Sequence, residues 1–222
     1  EYLVLAVKRM NSVLGDKLED YQVKGQLKGQ KLVTLTYQPL FDIYSDLENA
    51  FQVAAADFVT MDEGTGVVHV APGFGEDDYH LGQQLDVPLV QHVNREGRFK
   101  HDLTELGELA GRLVKPKGDP RRTDKKLVKK LEEMDVLFKK ETVEHTYPHC
   151  WRCDTPLLNY AADSWFVEVT KIKDQLVKNN EEIDWVPDHM KHGRFGNWLE
   201  GAVDWAVSRD RYWGTPLPIW ES

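Results

Sequence analysis

Apolar and polar positions trade places in short runs along most of this chain, and glycine punctuates the runs. Leu3–Val7 and Lys31–Tyr37 (KLVTLTY) are rich in β-branched and aromatic residues and predict strands. Phe51–Thr60 brings two apolar clusters and predicts one or two more. Val67–Ala71 is a short apolar run broken by His69, and Trp165–Val169 predicts a further strand. Many short strands separated by glycine turns predict a mainly β fold with helices (α+β), closed and barrel-like rather than an open sheet.

The helical signals are fewer and sharper. In Thr123–Met134 the apolar residues Leu127, Val128, Leu131 and Met134 fall at helical spacing, and Thr123 or Asp124 can cap the start. Acids at Glu76, Asp77 and Asp78 open a helix that continues over Tyr79–Leu85. Val169–Asn179 predicts a short helix, and Pro187 introduces another over about Asp188–Gly201. Ser12–Asp20 is a helical turn or a loop, and Leu103–Leu113 a loop with room for a short helix. The pattern changes near residue 141, which divides the chain into 1–140 and 141–222. All seven tryptophans lie in the last third. That density of aromatics predicts a surface made to pack against something else.

Composition narrows the class. The chain has 222 residues, 41% of them hydrophobic and 29% charged, which is ordinary for a globular protein. No apolar run approaches the ~18 residues of a membrane span, so no membrane partner is expected. The sequence opens on Glu1-Tyr2 without a leader-like segment, as expected of a chain that begins inside a larger protein, and the expected location is cytoplasmic. A net charge of −9 disfavours indiscriminate binding to polyanions. One segment runs against that balance. Between 115 and 130, Lys115, Lys117, Arg121, Arg122, Lys125, Lys126, Lys129 and Lys130 face only Asp119 and Asp124. That patch is either a solvated helix face or a contact for a nucleic-acid backbone, with Arg121, Arg122, Lys125 and Lys126 as the contacting residues.

The densest chemistry lies in Gly64–Gly82, GTGVVHVAPGFGEDDYHLG. It reads as strand, glycine loop and helix start. Gly73 and Gly75 leave room for a ligand against the main chain. Three carboxylates at the helix start would repel a phosphate, so a cationic group such as an ammonium fits better. His69 from the strand and Asp78 from the helix could face one cavity. The alternative is that the acids only cap the helix and His69 is a hydrogen-bonded core residue. Cys150 and Cys153 form a CxxC pair. Two thiolates from one turn can hold zinc, which needs two further ligands. His145 and His149 are near in sequence but awkwardly placed for that role.

Gly64–Gly82, Cys150–Leu158 and Asp204–Trp220, together with Leu32–Phe41 (LVTLTYQPLF) and Asp163–Val167 (DSWFV), resemble isoleucyl-tRNA synthetases over nearly the whole chain. Valyl enzymes usually carry lysine at the position of His69 and, like leucyl enzymes, an Ala-His-Asp run after the proline. This chain has His-Val-Ala-Pro-Gly-Phe-Gly. The resemblance implies the inserted (CP1) editing domain over 1–140. It implies the rest of the insertion, with the junction to the catalytic core, over 141–222.

That domain hydrolyses valine wrongly attached to isoleucine tRNA, because one missing methylene is worth only about 1–3 kcal/mol in a binding pocket. By resemblance, Asp78 holds the α-ammonium of the misloaded residue and His69 orients ribose and water. Gly73, Phe74, Gly75 and Tyr79 shape the wall. The implied partners are the 3′ end of isoleucine tRNA and the rest of the synthetase. Editing needs no cofactor. Zinc at Cys150 and Cys153 belongs to the full-length enzyme, as a half-site completed beyond Trp220, and ATP and magnesium belong to the synthetic core. Trp213 matches an aromatic of the synthetic site. A threonine-rich strand that lines the pocket in the family would precede Glu1, so hydrolysis by this chain alone is expected to be weak. The rival expectations are a non-catalytic tRNA-binding module and an editing domain for another aliphatic amino acid.

Overall fold

The computed structural model describes residues 2–209 and 214–220. Its contacts divide into two compact units, Glu1–Ala161 and Ala162–Ser222. Within the first unit, short helix α1 (Met10–Leu14) is followed by a long irregular stretch, then α2 (Glu76–Gln84) and α3 (Arg122–Glu133). A 3-10 helix, Thr104–Leu109, lies between the last two.

The expected barrel is not there, and the protein is not mainly β. Among the described residues the sheet structure is one two-stranded ladder, in the second unit. Elsewhere there are single antiparallel bridges, such as Thr36 to Gln52 and Val93 to Phe99. The reason is local. Lys31–Tyr37 does approach 51–53, with Thr34 N–H donating to Val53 O and Tyr37 N–H to Phe51 O. Thr34 and Phe51, however, have φ of 71° and 52°. A β-branched or bulky residue in the left-handed region turns the chain out of the pleat, and the pairing ends there. Val67–Ala71 carries no ladder, and Val67 and Val68 stay about half exposed.

What holds the first unit is a small leucine cluster. Leu103, Leu106 and Leu109 are buried, Leu109 at 1% exposure. Phe41, Ile43, Tyr44, Phe99 and Leu127 pack around them. Leu127 comes from the apolar side of α3, as its spacing predicts. The first turn of α3 is anchored separately. Thr123, buried, donates its hydroxyl to Leu113 O at 2.6 Å.

In the second unit, β1 (Phe166–Val167) pairs antiparallel with β2 (Trp205–Ala206), Phe166 opposite Ala206. Between them a 3-10 turn (Val169–Ile172) leads into α4 (Lys173–Glu181), and α5 (Arg194–Glu200) follows. The single helix expected over 188–201 is divided, with a 3-10 turn at Asp188–Met190 and α5 starting after Gly193. Asn180 is a buried polar anchor of this unit. Its Nδ2 donates to Lys191 O and its Oδ1 accepts from Trp185 Nε1, both at 2.9 Å. Satisfying both ends of the amide removes the cost of burying it. No helix among the described residues is long and apolar enough to cross a membrane.

Candidate functional site around the glycine loop

The loop between the run ending at Ala71 and helix α2 brings four of the six sequence-selected residues together. Gly75 is the N-cap of α2 and sits in extended backbone. Asp78, in the first turn, folds back over it. Its Oδ2 accepts the Ala71 N–H at 3.1 Å. A Cβ on residue 75 would stand 2.8 Å from that oxygen. A side chain at 75 would therefore displace the Asp78 carboxylate, a matter of closeness and not of an unusual φ. The carboxylate thus faces the loop, two residues from His69, instead of pointing outward. Among the described residues one oxygen is engaged and the other accepts no hydrogen bond.

Gly73 is buried, and a side chain there would meet Val90 O at 2.8 Å. Its carbonyl accepts the Ala161 N–H. Gln91 straps the same place, donating Nε2 to Ala161 O at 2.7 Å. Gln91 Oε1 is a buried acceptor with no hydrogen-bond partner among the described residues. Phe74 turns into an aromatic row. Its ring lies 4.4 Å from the His92 imidazole and 6.2 Å from Tyr160, and His92 in turn stacks on Phe99 at 6.3 Å. Tyr79 is directed along α2, its hydroxyl accepting from Gln83 Nε2. His69 is exposed, so the alternative of a core histidine does not hold.

His92 is the residue that sequence reading missed. Burial pushes its pKa below the usual histidine value, and the neighbouring His69 and Lys100 push it the same way. Charge on His69 is therefore felt at His92, and the imidazole between two phenylalanines is kept neutral at physiological pH. The clue available in the sequence was weak, a lone histidine beside the turn Asn94–Gly97.

The other sequence-selected groups hold their hydrogen bonds and ion pairs outside this loop. Lys125 pairs with Asp119 at 2.9 Å, and Lys126 with Glu108 at 2.7 Å. Lys115 pairs with Asp124 at 2.8 Å. Much of the basic face is thus matched by nearby acids. Arg121 and Arg122 are exposed at the start of α3. Cys150 and Cys153 sit on a tight hairpin, with Cys150 N–H donating to Thr155 O and Asp154 N–H to Cys150 O. Cys153 Sγ lies 3.0 Å from Thr155 Oγ1. That hydroxyl, then the Thr155 backbone, then Cys150, hold the Cys153 thiol below its usual range. His145 and His149 each turn a ring nitrogen to a backbone carbonyl at 2.9 Å. Among the described residues no group of three or more His, Cys, Asp or Glu side chains gathers as a metal site. Trp213 lies outside the described residues.

Known proteins resemble this chain strongly. Residues 27–222 match the family of tRNA synthetases class I (I, L, M and V). The isoleucine--tRNA ligase of Clostridium acetobutylicum is 47% identical over 221 residues, covering 100% of this chain and 20% of the relative. That of Bdellovibrio bacteriovorus is 46% identical over 222 residues, with 99% and 20% covered. That of Bacillus thuringiensis is 45% identical over 218 residues, with 98% and 20% covered. The chain therefore spans about a fifth of the length of these relatives. With the family matched over most of its length and isoleucine--tRNA ligases aligned along all of it, this chain belongs to the class I tRNA synthetases of the isoleucine, leucine, methionine and valine group.

Proposed function

We propose that this chain is the editing part of an isoleucine--tRNA ligase, and that its loop at 71–78 hydrolyses valine mischarged on isoleucine tRNA. The observation that carries the reading is the carboxylate of Asp78, turned back onto Ala71 N–H with one oxygen uncommitted. A half-buried carboxylate held in the same loop as Phe74, whose ring packs on His92, suits the α-ammonium of an aminoacyl ester. His69, exposed two residues before Ala71, is the group that orients the terminal ribose and the attacking water.

The reaction is ester hydrolysis. Water oxygen bonds to the carbonyl carbon, the bond to the ribose oxygen breaks, and that oxygen takes up a proton. Valine and a free ribose hydroxyl result. The chain shows no nucleophile with an adjacent base in this loop, so direct attack by water fits better than an acyl-enzyme. Asp78 positions the amine, and Phe74 with His92 excludes water from one side of the carbonyl. Cys150 and Cys153 fit two of the four ligands of a structural zinc, remote in role from this chemistry. In the whole protein, joining isoleucine to tRNA belongs to the synthetic core, where Trp213 has its proposed place.

The test is deacylation of valyl-, threonyl- and isoleucyl-tRNA by the full-length protein. Fast release of valine and slow release of isoleucine support the reading. Equal rates would remove the size discrimination, and preference for threonine would favour the editing domain of a synthetase for another aliphatic amino acid.

A further inference from the structure

A concave place in the first unit lies between the start of α3 and the segment 98–116, and no residue of the glycine loop lines it. It is a cavity of about 380 Å³. That is at the lower end of the roughly 300–1,000 Å³ typical of small-ligand sites. Its chemistry is one-sided. Arg98, Arg112, Arg122 and Lys126 line it, with His101, against one carboxylate, Glu108. Four permanent cations line it against Glu108, and Glu96 lies 3.7 Å from Arg98 Nε, so a net charge of +2 remains in a chain whose total is −9.

The cations are also held in place. Arg98 Nη1 donates to Gly111 O at 3.1 Å. Arg112 Nε donates to Glu108 O at 2.6 Å and its Nη2 to Glu108 Oε2 at 3.3 Å. Lys126 Nζ reaches both oxygens of Glu108 at 2.7 Å. Arg122, by contrast, makes no side-chain hydrogen bond or ion pair among the described residues. The floor is kept open by Gly111, at φ 73°, where an added Cβ would collide with the His101 ring. The base of the wall is tied by the Thr123 hydroxyl to Leu113 O. Bidentate guanidinium groups on pinned backbone are the recurrent solution for phosphate oxygens.

We infer that this cavity is a phosphate site for the backbone of a bound RNA, with Arg122 as the uncommitted contact and Glu108 as the gate charge. The phosphate chemistry follows from the cavity alone; its assignment to tRNA rests on the function proposed above. The site differs from a uniformly basic helix face, because two of its arginines come from outside α3 and Lys129 of α3 lies outside it.

The test is tRNA binding by the full chain at several salt concentrations. Arg122→Gln and Lys129→Gln remove the same charge from one helix, inside and outside the cavity. Arg122→Gln should weaken binding severalfold and lower the salt slope by about one, with Lys129→Gln nearly silent. Glu108→Gln should tighten binding severalfold, although it releases two tethered cations; a purely structural Glu108 would weaken it. Equal losses for Arg122→Gln and Lys129→Gln would overturn the cavity in favour of a diffuse face. Inorganic phosphate or ATP that binds and is lost in Arg122→Gln, while tRNA affinity stays unmoved, would overturn the RNA assignment. A failure of the editing reading shows elsewhere, as deacylation indifferent to Asp78, and leaves these binding results untouched.

Discussion

Replacing Asp78 by asparagine removes a charge while keeping most of the geometry. The carboxylate Oδ2 accepts Ala71 N–H at 3.1 Å, and an asparagine Oδ1 can accept the same bond. The fold should therefore tolerate the change, with stability altered by less than about 1 kcal/mol. What disappears is the attraction for the substrate ammonium. Two unit charges at 4 Å interact by about 1 kcal/mol in water and about 4 kcal/mol at the effective dielectric of a protein surface. Asp78 is half-buried, so about 2–3 kcal/mol is the reasonable span, or roughly 30- to 150-fold in kcat/KM for valyl-tRNA deacylation.

Asp78→Ala should lose the same factor and in addition destabilise the loop by about 1–2 kcal/mol, because Ala71 N–H then has no acceptor. The decisive comparison uses valyl-tRNA acetylated on its amine. If Asp78 grips the ammonium, the acetylated ester should be hydrolysed slowly by the wild type and no more slowly by Asp78→Asn, so the two changes are not additive. A loss below about threefold in Asp78→Asn, or full additivity with acetylation, would refute the ion-pair argument.

Leu109→Ala should cost about 2–3 kcal/mol in urea unfolding, in the lower half of the usual range, since Phe41, Ile43 and Tyr44 around it are only partly buried and can relax. Thr123→Val should cost about 1–3 kcal/mol by leaving Leu113 O without its donor, and thermal unfolding measures it. His92 should make stability depend on pH. Its folded pKa is depressed below 6.5, so its contribution is fully present above 6.5 and is lost as pH falls from there through the folded value. Urea midpoints measured across that window should fall with acidity in the wild type and respond less in His92→Gln. An unchanged slope in that variant would assign the effect to another group.

Some of this protein could be read from residue order alone. Helices α2 and α3 could, because the acids of Glu76–Asp78 and the spacing of Leu127, Val128 and Leu131 are local instructions that a helix carries out within a few residues. The glycine loop was legible for the same reason. Gly75 and Asp78 are three apart, close enough for one to need the other. Membership of the synthetase family was legible because several distant motifs agree. The sheet was not. Thr34 and Phe51 have strand propensity, yet pairing is decided by a partner and a register that propensity does not encode, and their left-handed φ values break the ladder. His92 became part of the site only when the chain returned it to Phe74, and Arg98 and Arg112 joined Arg122 only when a turn and a leucine cluster brought three separate segments to one cavity. Sequence determines what a residue can do within the reach of its own turn; which distant groups share one dielectric, one cavity and one net charge is settled by packing, because only packing sets the distances on which those energies depend.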